Sequence, residues 1–349
     1  MPTSGFLQQL DVVTNKKLLP GAVDNVFLND PLLAYAKANC LEKWSGNAIQ
    51  DNFIYDYLPG GFYAKGGTFD ITQPQTSNGL TFLPKFAYVD VTLFLEDVEV
   101  TNAGPEAVIK LADMRLQEAA LNMSARLSVA QYRHGQNIAG EDRSLAIHGL
   151  EEICSDGTNN GWNAHTFANY GTVPRAQVNE ALNSPLTGPN SNVAGAISYD
   201  LMERFYNGVC IGNEKPNLIV TTNLGMSYTK MKFQAQQRFE TASEVAVGFT
   251  GVKFNGAMIM QSQYCPGSKA PAKAATLDFA TPASGETMFF LNTKYLKFWV
   301  STSPKFGFGF TGWKPAQDNN TIAGQYLYGG AGITSTSPRY HRSAFGITG

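Results

Sequence analysis

Between residues 88 and 96 apolar and other side chains alternate: Val89, Val91, Leu93 and Leu95 are interleaved with Asp90, Thr92, Phe94 and Glu96. A period of two predicts a half-buried strand over 88–100. After Glu96-Asp97 the apolar phase moves to Val98 and Val100, which one bulged residue would produce. The period then changes to 3.6. Val108, Leu111, Ala112, Leu116, Ala119, Ala120, Met123, Leu127 and Ala130 follow at helical spacing. Pro105 and Glu106 suit a first helical turn, and His134-Gly135 suits an end. The helix predicted over 105–133 would be roughly 42 Å long at 1.5 Å per residue, which makes it a spine. Its alanines (Ala112, Ala119, Ala120 among them) leave room for a sheet or a neighbour to approach closely.

Other segments are shorter. Residues 1–30 lack a period and read as an extended arm that neighbours must order. A short helix is expected over 31–45, with Pro31 early in it after Asp30. Residues 46–85 mix glycine pairs with aromatics (Gly60-Gly61-Phe62-Tyr63, Gly66-Gly67-Thr68-Phe69) and carry an Asn78-Gly79 turn signal. They predict a long two-stranded loop with too few apolar flanks for its own core, whose aromatics dock on something. A further helix is expected over 145–154, then a Gly-, Asn- and Thr-rich loop over 155–194 with a surface or contact role. Residues 198–206 predict a helix burying Leu201, Met202 and Phe205, and 217–221 a buried strand. Thr222 or Asn223 can cap a helix to 239, with Met226, Met231 and Phe233 as buried candidates. From 245 the pattern is β: a hairpin about Asn255-Gly256, then strands over 288–300, 306–313, 325–328 and 344–348. The class is α+β.

Composition narrows the role. Of 349 residues 43% are hydrophobic, yet only 15% are charged, against roughly 25% in an ordinary soluble domain. Aromatics reach 12%, with 22 Phe and 15 Tyr. Interface cores are depleted in charge and rich in aromatics, so the balance suits a chain largely covered by copies of itself. A monomer with a Ser/Thr/Asn-rich surface is the alternative. The formal net charge of −2 excludes a dedicated nucleic-acid binder but permits the lining of a DNA-filled container. Cys40, Cys154, Cys210 and Cys265 are scattered without a CxxC, and read as free thiols in a cytosolic assembly compartment. Neither a secretory leader nor a membrane-spanning run is expected.

Candidate chemistry is sparse. His148, Glu151, Glu152 and Cys154 could supply a metal site or a nucleophile pair, but a solvated helix face and an inert thiol are the plainer readings. Glu96, Asp97 and Glu99 read as a polar edge or a charge patch between subunits. Arg339, His341 and Arg342 could face DNA or a neighbour. GxxxxGK[ST], GxSxG and HExxH do not occur, so no enzymatic activity, cofactor or metal is expected.

The order of these elements resembles the Hong Kong 97-type major capsid fold of tailed phages and encapsulins. Residues 251–259 are similar to its axial-domain hairpin, and 286–296 to the aromatic-apolar strand that follows. The resemblance implies an N-terminal arm over 1–45 and an extended E-loop over 46–87. It implies a peripheral domain over 88–140 and 286–335, and an axial domain of mixed sheet and helices over 141–285 and 336–349. Phe62, Tyr63, Lys65 and Phe69 would then make E-loop contacts between subunits. Pro105, Leu111, Leu116, Met123 and Leu127 would belong to the spine helix. The fold's type member joins an E-loop lysine to a neighbour's asparagine, and Lys65 lies in a suitable loop.

The implied function is a structural shell subunit. It would assemble through homo-hexamers and pentamers into an icosahedral phage head around double-stranded DNA. The implied partners are a portal protein, optionally a decoration protein and weakly contacted DNA. With no helical scaffolding segment before the arm, a separate scaffolding protein is expected, or a segment that has been removed. Assembly in the host cytoplasm and residence in the virion follow. The competing expectations are an encapsulin-like compartment shell and, from another class, a β-rich tail or adhesin component.

Overall fold

The alternating segment and the long helix lie against each other. Strand Lys85–Phe94 turns Val89, Val91 and Leu93 inward, and helix Pro105–Ala130 buries Ala112, Leu116, Ala119, Ala120, Met123 and Leu127. These positions recur every three or four residues, so they form one stripe. Leu111 sits at its half-buried margin. The computed structural model describes residues 14, 30–69, 71–96, 105–178, 181–185, 193–233, 252–271, 276–282, 285–315 and 320–349, with side chains of the long helix from residue 109. Most of the expected arm, the phase change at 97–100 and the helical segment 234–239 lie outside them. The long helix ends at Ala130, and after one further helical bond at Gln131 two tighter turns carry the chain to Arg133. Gly135 has a reason other than the expected cap. A Cβ there would lie 2.6 Å from the Ala146 carbonyl oxygen, so its missing side chain permits a close crossing.

Three main sheets organise the chain. In the first, Thr321–Gly330 pairs antiparallel with Lys85–Phe94 over ten residue pairs, from Thr321 opposite Phe94 to Gly330 opposite Lys85. Gly307–Phe310 and Lys314–Pro315 pair along the other edge of Thr321–Gly330. The second sheet places Leu296–Ser301 between Leu41–Trp44, parallel, and Gly332–Ser335, antiparallel. The third has six strands in the order Val252–Phe254, Ala257–Gln261, Leu218–Thr221, Glu286–Leu291, Arg342–Thr348 and Val193–Ala196. Its central strands are buried on both faces. Phe289 and Leu291 enter the main core beside the long helix, whereas Met288 and Phe290 join a second core with Met202, Phe205 and Met226.

Several expectations change here. Residues 41–44 are a strand and not the end of the first helix, which spans Pro31–Asn39. That helix is fixed by Asp30, fully buried at its N-cap. Its carboxylate accepts from the Leu33 N–H at 3.2 Å and from Gln131 Nε2 at 2.6 Å, and Ser262 Oγ donates to it as well. Asn78-Gly79 lies inside strand Ser77–Phe82, opposite Phe53 and Asn52, so the strands do not turn there. The segment expected as one strand over 288–300 is two strands in different sheets. Between them Asn292 Oδ1 accepts from the Lys294 N–H at 3.1 Å and turns the chain.

The helix expected over 145–154 shrinks to Leu150–Ile153. The segment after it is not a surface loop: Trp162, Phe167, Tyr170, Val178 and Leu182 are all buried. Arg175 is buried with them, its guanidinium 5.1 Å from the centre of the Tyr170 ring, and donates to the carbonyls of Ser155 at 2.8 Å, Glu152 at 2.5 Å and Leu182. One guanidinium thus satisfies backbone acceptors that no sheet reaches. Met231 is 70% exposed and not buried, and the Phe233 side chain lies outside the described residues.

Other expectations match. Asn255 and Gly256 have φ of 48° and 85°, the pair of positive values that a two-residue hairpin turn requires. Ser198 caps Tyr199–Asn207, which buries Met202 and Phe205 and half-buries Leu201. Thr222 Oγ1 accepts from the Gly225 N–H at 3.0 Å, at the start of Asn223–Phe233.

Candidate functional site

The segment with the most exposed aromatic surface is the long hairpin. Its strands, Ile49–Ile54 and Ser77–Phe82, pair antiparallel from Ile49 opposite Phe82 to Ile54 opposite Ser77. The base is anchored, since Ile49, Phe53, Leu80 and Phe82 are buried in the main core. Lys297 Nζ also holds Asp51 at 2.6 Å. The far end has no such support. Tyr55 Oη donates to the Gln75 carbonyl at 2.6 Å, and the chain then runs out through Tyr57, Leu58, Phe62, Tyr63, Phe69 and Ile71, all exposed.

The loop reverses at Lys65-Gly66, where the Gly67 N–H donates to the Ala64 carbonyl at 2.8 Å and Gly66 has a φ of 86°. Tyr63 and Phe69 meet edge to face, with ring centroids 4.8 Å apart, and each remains about two-thirds exposed. Sequence reasoning therefore placed Phe62, Tyr63, Lys65 and Phe69 together on one projecting loop. A second apolar surface went unnoticed. Phe86, Tyr88 and Phe94 stand on the outer face of strand Lys85–Phe94, each more than half exposed. The signal was Phe94 falling in the polar phase of the alternation.

The charged residues near position 150 form a buried network, not a solvated helix face. Glu151 and Glu152 are both buried. His148 Nδ1 lies 2.6 Å from Glu152 Oε1, and Gln136 Nε2 donates to Glu152 Oε2 at 2.5 Å. Burial pushes the Glu152 carboxyl up. The charge and hydrogen bond of His148, with the Gln136 hydrogen bond, outweigh it and hold the group below the usual carboxylate range. On the other side of the short helix, Glu151 Oε1 accepts from His165 at 2.8 Å. Arg133 Nη2 meets both oxygens of Glu141 at 2.5 and 2.6 Å.

His134, Glu141 and His165 were missed because they are distant in sequence from 148–154. Cys154 is buried, and burial pushes its thiol far up, so it does not supply a thiolate. Glu96 accepts from Asn320 Nδ2 at 3.3 Å, whereas Asp97 and Glu99 lie outside the described residues.

The C-terminal basic group is not a patch. His341 and Arg342 are buried, and the Arg342 guanidinium lies over the Phe205 ring at 4.7 Å. Only Arg339 stays partly exposed, beside the Tyr340 ring. His341 Nδ1 accepts from the Asn292 N–H at 3.2 Å, so Nε2 carries the proton and donates to Ser335 Oγ at 2.8 Å. Burial depresses its pKa from 6.5 to about 3. The folded state then binds fewer protons than the unfolded chain between those values. This contribution to stability is complete above pH 6.5 and is lost as pH falls towards about 3. A His341→Gln variant keeps one acceptor and one donor and should show a shallower loss of stability over that window. Equal slopes in acid-titrated urea unfolding of the two proteins would refute this.

No described helix is long and apolar enough to cross a membrane. No protein-family description matches the sequence, and no curated protein matches it. Solved structures do match. The capsid asymmetric unit of cyanophage A-1(L) aligns with a TM-score of 0.63 at 13% identity, covering 97% of this chain and 96% of its own. The capsid of the native GTA particle gives 0.56 at 11% identity, covering 93% and 91%. The SrpI encapsulin of Synechococcus elongatus gives 0.54 at 7% identity, covering 90% and 87%. The chain therefore has the Hong Kong 97-type capsid fold, nearly end to end.

Proposed function

We propose that this chain is the major capsid protein of a tailed phage: a shell subunit without enzymatic chemistry that assembles through hexamers and pentamers around double-stranded DNA. One observation carries the reading. A hairpin rooted in the core projects a loop on which Tyr57, Leu58, Phe62, Tyr63, Phe69 and Ile71 are all exposed. In water that surface is unfavourable, and burial of each such side chain against a neighbour returns about 1.5–3 kcal/mol. Closed symmetry lets every copy give its loop and receive another, so one contact repeats around the whole shell. Lys65, exposed at the loop's reversal, would lie at the same contact.

In this reading 46–87 is the E-loop and 105–133 the spine of the peripheral domain. That domain comprises 88–140 and 286–335, although strand Glu286–Leu291 runs in the six-stranded sheet of the axial domain. The axial domain comprises 141–285 and 336–349. A portal protein, a separate scaffolding protein and weakly held DNA are the partners, with a decoration protein as an option. The site is the virion, after assembly in the host cytoplasm.

An encapsulin-like compartment shell is the second reading, favoured by the SrpI likeness. Negative-stain microscopy of the chain, alone and coexpressed with a candidate scaffold, tests assembly. Closed shells are expected, and a dispersed monomer under every condition would sink both readings. Nuclease-protected DNA in shells from infected cells supports the phage head, and a protein cargo in its place supports the compartment.

A further inference from the structure

We propose that His134, Glu151 and His165 form a binding site for a zinc-class divalent cation. The residues come from three separate segments: the turn after the long helix, helix Leu150–Ile153, and the buried segment after it. One donor atom from each lies within 4.8 Å of the other two. Hydrogen bonds now fill this cluster, with Asn163 Nδ2 3.3 Å from both Glu151 Oε1 and His165 Nδ1, and a cation would take their place. His165 Nδ1 is 2.8 Å from Glu151 Oε1 and 3.8 Å from Glu141 Oε2, and His134 Nε2 is 3.2 Å from the same Glu141 oxygen. A tetrahedral zinc ion with ligands at about 2.0–2.1 Å holds its ligand atoms about 3.3 Å apart. Two imidazoles with a carboxylate are also a donor set that zinc favours.

Two further observations point to a ligand. The Glu151 side chain is 98% buried, yet its Oε2 has no hydrogen-bond donor and only a long 4.0 Å ion pair with Arg133 Nε, which itself has no acceptor. A buried carboxylate oxygen that lacks a hydrogen-bond donor is costly and rarely kept. The local charge is also negative. Glu141, Glu151, Glu152 and Asp278 carry four negative charges against two on Arg133 and Arg143 and the one on His148 that holds Glu152.

A dication would offset this deficit. It would ligate His134 through Nε2, moving that ring proton to Nδ1 and releasing the long 3.4 Å contact from the Gln136 N–H. Glu141, beside His134 and His165, would serve as a further ligand or orient the rings from the outer shell. His165 is the most exposed of the three, at 21% of its side chain, and gives the ion a way in. The bound ion would clamp the end of the long helix to the segment around His165.

The rival way to balance the charge is protonation of His165, which shares its hydrogen bond with Glu151. The test uses the full-length unassembled subunit loaded with Zn²⁺ and freed of excess by gel filtration. Elemental analysis should find about one ion per chain, and loading with Co²⁺ should give the intense visible absorption of tetrahedral coordination. His165→Ala, at the partly exposed position, should keep the fold and lose the ion. Glu141→Gln should weaken Zn²⁺ binding about 10–100-fold. A folded wild-type subunit that retains no Zn²⁺, and whose thermal stability is the same with and without chelator, overturns the site and leaves protonation as the balance. So does retention of the ion by a folded His165→Ala variant. None of these readouts requires shell assembly, so the outcome is independent of the shell reading.

Discussion

Replacing Phe62, Tyr63 and Phe69 together with serine should leave a folded subunit that no longer closes into shells. All three side chains are exposed beyond the anchored part of the hairpin, and none touches the core cluster. Within one chain their removal costs little, in the range of about 0.5 kcal/mol usual for a surface substitution, apart from the edge-to-face pair of Tyr63 and Phe69. Between chains the loss accumulates. At about 1.5 kcal/mol or more for each buried aromatic, the three remove at least about 4 kcal/mol per subunit contact. That raises the concentration needed for assembly about a thousandfold. Sedimentation velocity with electron microscopy would read the loss of shells, and urea unfolding would read the unchanged subunit. Shells of normal yield from the triple variant would show that the loop is not an assembly contact.

Phe289→Ala should destabilise the subunit by about 3–5 kcal/mol, the range for truncating a buried aromatic. Phe289 is fully buried in a central strand, with its ring centroid 5.6 Å from that of Tyr132 in the turn after the long helix. It thus joins the six-stranded sheet to the end of the long helix, and its loss opens a cavity where two elements meet. Because whole domains are stable by only about 5–15 kcal/mol, much of the population would unfold at moderate urea. The measurement is the shift in unfolding midpoint of the unassembled subunit at unchanged slope. A change below about 1 kcal/mol would mean that the two elements are not packed as described.

Some elements were legible in the chain because their physics is local. The strand ending at Phe94 and the helix from Pro105 carry uninterrupted periods of 2 and 3.6 over many residues. Asn255-Gly256 accepts positive φ at both turn positions, and flanking apolar residues leave little else for it to be. The same dipeptide at 78–79 misled. Its backbone is extended because Asn52 and Phe53 across the ladder supply the partners that a tight turn would have had to replace. The aromatic loop was visible as composition, since paired glycines among Phe and Tyr neither alternate nor wind.

The charged network was not legible. Glu151 and Glu152 look like a solvated pair beside His148, and they are buried because Gln136 and His165 arrive from other segments. The C-terminal basic residues were misread in the same way. Nothing beside His341 in the chain announces that Asn292 and Ser335 will enclose it.

By itself the sequence determined the periods, the caps and one true hairpin turn, hence the order of elements and the fold they imply. Each of these depends on residues within about one turn or one strand of each other, where backbone sterics and side-chain spacing suffice. Tertiary structure alone decided which sheet each half of 288–300 joins, that the segment around Arg175 is interior, and that Arg133, His134, Glu141, Glu151 and His165 share one network. Burial, and the pairing of charge that burial demands, is a property of what arrives from elsewhere in the chain. No local pattern encodes it.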